Sequence, residues 1–206
     1  MAAEQPSPFF ELRHAATDRA TIVVVPERRF LAIDGVGGPT AAGFRFATET
    51  LRSAAEQLRV RLAWTRRPGN QPAAIECAWW IHPEIPDAEM PDAFGDRSKW
   101  HWQQMIEIPK IAEEAETAAA IDETRRKAGR EVPLIRTTAI EEGRAAQILH
   151  VGPLASEPAS LRKLYKAIAD AGLRPRGHLH QILLTDPDRV APERARSILR
   201  LPVEPA

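Results

Sequence analysis

One arrangement of secondary structure is written twice along this chain, and that repetition restricts the possible architectures more than any single motif. The run Phe30–Pro39, FLAIDGVGGP, is β-rich, ends in Gly-Gly-Pro and leads into a helical pattern. The run Ala146–Pro153, AQILHVGP, does the same with Val-Gly-Pro. After Thr40, a candidate N-cap, apolar residues fall at Phe44, Ala47, Leu51, Ala54 and Leu58, the spacing of one helix face. After Ser156, a second candidate cap, Leu161, Leu164, Tyr165 and Ile168 repeat that spacing, and Gly172 stands where a C′ glycine ends a helix. The spacing predicts helices near 40–59 and 157–171.

Each block also follows a hairpin signal, Thr21–Ile33 in the first and Leu134–Leu149 in the second, where Glu142-Gly143 supplies the turn. Further strands are expected at Ala73–Ile81 and Trp100–Ile108, then at Gly177–Leu184 and Ser197–Val203. An extra helix opened by Pro109 lies within 109–130, and the Pro-rich stretches Pro83–Asp96 and Pro187–Pro192 read as loops. The expected fold is α+β: two pseudo-symmetric strand-helix-strand-strand modules, residues 20–108 and 131–203, joined by the helix in 109–130. They would form an antiparallel sheet with helices on one face, within one domain spanning 1–206. The groove between two such halves is a natural ligand cleft.

Composition narrows the function classes. With 28 basic and 28 acidic residues the chain has no net charge and no basic stripe, which argues against nucleic acid as a partner. Its one cysteine, Cys77, excludes an internal disulfide and fits a cytoplasmic location. No segment has the length of a membrane span, and the N-terminal MAAEQPSPFFELRHAATD lacks the apolar core of a secretory signal. Only about twenty residues precede the first strand, too few for a helix-turn-helix, so a complete transcription regulator is not expected.

Five ordered stretches carry a family resemblance. The C-terminal Gly177–Val203, GHLHQILLTDPDRVAPERARSILRLPV, is similar to G-K-H-H-E-I-Y-L-S-D-P-R followed by P-E-K and I-L-R-x-P, the signature of the GyrI-like small-molecule-binding family. Val25–Pro39 is similar to that family's V-P-x-x-x-F-(I/L)-x-(V/I)-D-G-x-G-x-P, and Glu76–Trp80, ECAWW, to E-G-L-W-W. Ser98–Pro109 resembles K-W-x-W-x-x-M-I-x-x-P, and Ile148–Ser160 resembles H-I-G-P-Y-x-x-E-P-x-T. The resemblance implies a cleft for small molecules, in effector-binding domains or free-standing proteins. Some free-standing members hydrolyse the cyclopropane of DNA-alkylating natural products.

The same resemblance puts Gln181 where the family's ligand-facing Glu stands and Leu183 where its Tyr stands. An amide donates and accepts hydrogen bonds but takes no proton near neutral pH, so general-base chemistry there is lost. Leu179, Gln181 and Leu183 share a strand face. Gln181 either contacts ligand or satisfies a buried polar neighbour. Glu76 is the candidate replacement carboxylate and alternates with Ala78 and Trp80. Trp100 and Trp102 share a face, whereas Trp79 and Trp80 point to opposite sides; the resemblance favours Trp80 and Trp102 for ligand contact, with Trp79, Trp100, Leu179 and Leu183 as the further ligand-binding candidates. A metal site at His178 and His180, completed by His82, His101 or His150, has no spacing signature, so no metal and no cofactor are expected.

The expected function is a protein that captures planar, hydrophobic or weakly cationic small molecules in a Trp-lined cleft, in drug or toxin resistance, as a monomer or homodimer. The alternative is a hydrolase of cyclopropane-bearing alkylators, with Gln181 and Glu76 as its catalytic positions. An accessory protein acting on a partner such as gyrase ranks last.

Overall fold

The computed structural model describes residues 16–62, 74–82, 84–87, 89–186 and 189–206. The N-terminal stretch up to residue 15, read above for a secretory signal, lies outside them, as do Ala73, Pro83 and Pro187. The architecture is α+β and antiparallel, with nine strands and four α-helices among the described residues. The chain divides into two compact units: Glu27–His82 with Arg97–Ile140, and the remainder (up to Pro26, 83–96, and Glu141–Ala206). Each unit draws on both halves of the sequence.

The exchange follows from strand pairing. In one unit β1 (Thr21–Val25) pairs with β6 (Gly143–Val151). In the other, β2 (Arg28–Val36) pairs with β5 (Arg136–Ile140). Neither expected hairpin forms. Pro26 follows β1 directly, and Glu141-Glu142 separates β5 from β6. At both points the chain passes from one unit to the other instead of folding back. Local turn chemistry marks an interruption in a strand, but a proline that cannot donate to a ladder does not specify which strand lies alongside.

In the unit containing Glu27–His82, the sheet runs β3 (Glu76–Trp80), β4 (His101–Glu107), β2 and β5. Helix α1 (Ala42–Arg61) covers one face, burying Phe44, Ala47, Leu51, Ala54 and Leu58 as the periodicity predicts. Its N-cap is Ala41, with no side-chain cap; the Thr40 carbonyl instead accepts from Arg45. Gln104 on β4 anchors the helix, donating to the Phe44 carbonyl at 2.8 Å and accepting from Thr48. Helix α3 (Glu114–Ala128) packs on α1. It starts five residues after Pro109, at a reciprocal Glu113–Glu116 capping box, so Pro109 is not its opener.

In the other unit β6 pairs with β9 (Arg196–Pro205), which also pairs with β8 (Leu179–Leu183) and the short β7 (Leu173–Pro175). Helix α2 (Met90–Ala93) occupies the stretch expected to be loop, and α4 (Glu157–Asp170) packs on β6. Gly172 ends α4 with φ 65°, as expected. Ser156 sits at the N-cap without capping; its hydroxyl donates to the Pro153 carbonyl at 2.7 Å. No helix among the described residues is long and apolar enough to cross a membrane.

Candidate functional site

Position 181 is occupied by a polar contact to the nearest helix. Leu179, Gln181 and Leu183 alternate along β8, and the register Gln181↔Leu199 and Leu183↔Ser197 puts Ser197 of β9 on their face. That face meets the first turn of α4. Gln181 is 2 % exposed, and its Nε2 donates to Glu157 Oε1 at 2.5 Å. The Ser197 hydroxyl donates to the same oxygen at 2.9 Å. Glu157 itself is 0 % exposed. Of the two roles open to Gln181, the structure shows it bonded to a buried polar neighbour. Both of these donors are neutral groups.

Beside this triad lies a shallow depression with an enclosed volume of about 10 Å³, lined by Gly152, Leu154, Leu183, Thr185, Ala195, Arg196 and Ser197. Gly152 has φ 132°, and a Cβ there would sit 3.2 Å from Ser156 Oγ, so the backbone needs glycine where it turns toward the depression. Leu183 and Ser197 belong to both the β8–β9 face and the depression, while Leu179 is 1 % exposed within the core. His150 supports the nearby turn, with Nδ1 2.9 Å from Ser160 Oγ and Nε2 3.2 Å from the Pro153 carbonyl. That acceptor calls for the Nε2–H tautomer, in which Nε2 cannot serve as a base toward Ser156.

The remaining candidates lie in the other unit. Glu76 is fully buried, and Arg28 donates to both its oxygens at 2.8 Å, a bidentate fork. Glu107 lies 3.6 Å from the same guanidinium. Glu76 is thus a member of an ion pair, which removes the reason for choosing it as the replacement carboxylate. Trp79 and Trp102 are direct cross-strand partners, so these two share a face, and both turn toward α1. Trp79 stacks on Phe44 at 5.5 Å and carries the Arg97 guanidinium 4.9 Å from its ring centroid; Trp102 meets Phe44 edge-on at 5.2 Å. Trp80 lies on the opposite face, stacked at 5.8 Å on His101, so the selection of Trp80 with Trp102 for one wall is corrected.

Trp79, Trp100 and Trp102 are 0, 1 and 3 % exposed, and Trp80 is half-buried. Among the described residues the Trp102 indole N–H is buried without an acceptor. Gly35 permits that indole to lie against the backbone of β2: a Cβ at position 35 would fall 2.2 Å from the ring. His180 pairs with Glu142 at 3.0 Å, and Glu142 also accepts from Arg200 at 3.0 Å. Among the described residues no group of three or more His, Cys, Asp or Glu is placed to hold a metal.

Glu157 is a buried carboxylate that the sequence reading does not single out. It stands in the stretch compared with H-I-G-P-Y-x-x-E-P, immediately before Pro158, but a glutamate in a first helical turn is ordinary dipole chemistry. Its burial follows only from β8 and β9 packing over it.

No protein-family model matches the chain, and no curated protein matches it. Solved structures do. An uncharacterized conserved protein from Listeria innocua superposes with a TM-score of 0.79 at 27 % identity, covering 94 % of this chain and 96 % of its own. A protein described as a hydrolase, also from Listeria innocua, gives 0.75 at 26 % identity, covering 95 % and 97 %. The EcmrR C-terminal domain gives 0.56 at 11 % identity over 91 % and 98 %, a likeness of fold alone.

Proposed function

We propose that this chain, which has the GyrI-like small-molecule-binding fold, binds planar, hydrophobic or weakly cationic compounds, with Glu157 as the polar anchor of its site. The observation that carries this reading is the hydrogen bond from Gln181 to Glu157 at 2.5 Å, joined by the one from Ser197. An amide at position 181 cannot shuttle protons. What it does is hold a carboxylate beside a depression whose wall is formed partly by Leu154, Leu183 and Ala195. A carboxylate at this place suits a cationic or hydrogen-bond-donating ligand. Sequestering such compounds fits a role in drug or toxin resistance.

A second reading has its own support: the Listeria innocua protein at 26 % identity is described as a hydrolase. Glu157 would then be the general base toward water opening a strained cyclopropane, the role that Gln181 cannot fill. One experiment separates the two. Tryptophan fluorescence is titrated with a planar organic cation and its neutral analogue, and turnover of a cyclopropane-bearing alkylator is followed in parallel. Binding predicts saturable quenching that Glu157→Gln weakens about 10- to 100-fold for the cation, with no turnover. Turnover by the unaltered protein, lost in Glu157→Gln, establishes the hydrolase. Cation affinity indifferent to Glu157→Gln defeats the anchor.

A further inference from the structure

His101 opens β4, and the register sets Trp80 of β3 opposite it on one side and Val36 of β2 on the other. Trp80 stacks on the His101 imidazole at 5.8 Å with 20° between the planes. His82, two residues past β3, meets the same imidazole with ring centroids 5.3 Å apart and planes at 76°. His82 is exposed and His101 half-buried. The buried histidines have their nitrogens committed: His150 to Ser160 and Pro153, His180 through Nδ1 to Glu142. Among the described residues no hydrogen bond or ion pair holds the imidazole of His82 or His101, so each keeps a nitrogen lone pair for another partner.

We propose that His82 and His101 bind one divalent late transition-metal ion, Cu(II), Ni(II) or Zn(II), the ions that imidazole suits. The separation fits a shared ion. Two imidazoles bound through nitrogen at about 2.1 Å to one tetrahedral ion hold their ring centroids about 5 Å apart, and these two stand at 5.3 Å. Two side-chain ligands leave the other coordination positions to water, the open arrangement of a metal that still accepts a further ligand. Stacking on Trp80 fixes the plane of the His101 ring, and the exposed His82 gives the ion its entry. The sequence offered His82 and His101 only as alternative third ligands to His178 and His180. The fold instead sets them together in one unit and gives His180 to Glu142 in the other. The site shares no residue with the surroundings of Glu157, so it does not depend on the binding reading above.

The test is calorimetric titration of the full chain with CuCl2, NiCl2, ZnCl2 and MgCl2. A Cu(II) site is expected, tighter than for Ni(II) or Zn(II) and silent to Mg(II). His82→Gln and His101→Gln should each weaken it at least about tenfold, since even an outer partner of a metal ligand is worth that much. His178→Gln should leave it unchanged. Pulsed electron spin resonance of the Cu(II) complex should show two coordinated imidazoles. His82 is exposed, so its variant keeps the fold, which circular dichroism checks, and a loss there reads metal binding alone. A chain that binds none of the three ions overturns the proposal. So does a Cu(II) site that ignores both variants, or a spectrum with a single imidazole.

Discussion

Two buried glutamates, one in each unit, contrast in their chemistry. Glu76 and Glu157 are both 0 % exposed. Arg28 meets Glu76 with a bidentate fork, so a full positive charge faces the carboxylate at 2.8 Å. Gln181 and Ser197 meet Glu157 with neutral dipoles. A fork of this kind fixes geometry and offsets charge together, whereas an amide and a hydroxyl fix geometry alone. Burial by itself therefore does not identify a functional carboxylate.

The largest effect expected from this contrast is on the Glu76 side. Arg28→Met removes the bidentate fork from a buried carboxylate and should cost about 3–5 kcal/mol of stability, read from urea unfolding midpoints. Adding Glu76→Leu should recover most of it, because a buried pair replaced by apolar groups is nearly neutral. A single-variant loss under about 1 kcal/mol would show that Glu76 has other support.

On the Glu157 side, Gln181→Glu would set two carboxyl groups 2.5 Å apart if the geometry holds. Like carboxylates at that distance share a proton. The folded variant then holds that proton more tightly than the unfolded chain does. Its stability is present in acid and lost as pH rises, so it should trail the parent by about 1–3 kcal/mol at about pH 8 and approach it near pH 5. A penalty that does not change with pH would sink the dipole-held account of Glu157.

Gly35→Ala should cost about 1–3 kcal/mol, since its Cβ must displace the Trp102 indole from 2.2 Å. Thermal unfolding checks this, and an unchanged midpoint would mean that Trp102 moves freely. The smallest effect concerns Tyr165 on α4, whose phenol is pushed up from its ordinary value, first by burial and then by the Asp87 charge. Its contribution to stability is full below the ordinary tyrosine value of about 10 and is lost as pH rises beyond it. Tyr165→Phe should therefore flatten the alkaline fall in stability while shifting it by under about 0.5 kcal/mol at neutral pH. An alkaline limb as steep as the parent's would assign the fall to other groups.

The site was less legible in the sequence than the fold. Helix α1 was readable because Phe44, Ala47, Leu51, Ala54 and Leu58 repeat at the helical period, and they are the residues it buries. The two faces of β8 were readable from alternation, which put Leu179, Gln181 and Leu183 together. Alternation separates Trp79 from Trp80 but does not say which of them shares a face with Trp102. Only the cross-strand register Trp79↔Trp102 shows which one joins the Phe44 cluster.

Local pattern determined what each segment is: helix, strand, the glycine stop at Gly172 and the repetition of the whole unit. Those properties depend on residues within a few positions of one another, where periodicity and backbone preference act. Tertiary structure decided which strand each one joins, exchanging the partners of β1 and β5 between units. It also decided which carboxylate meets Gln181. These choices rest on contacts between residues far apart in the chain, as with Gln181 and Glu157 or Arg28 and Glu76, and no local signal in either partner names the other.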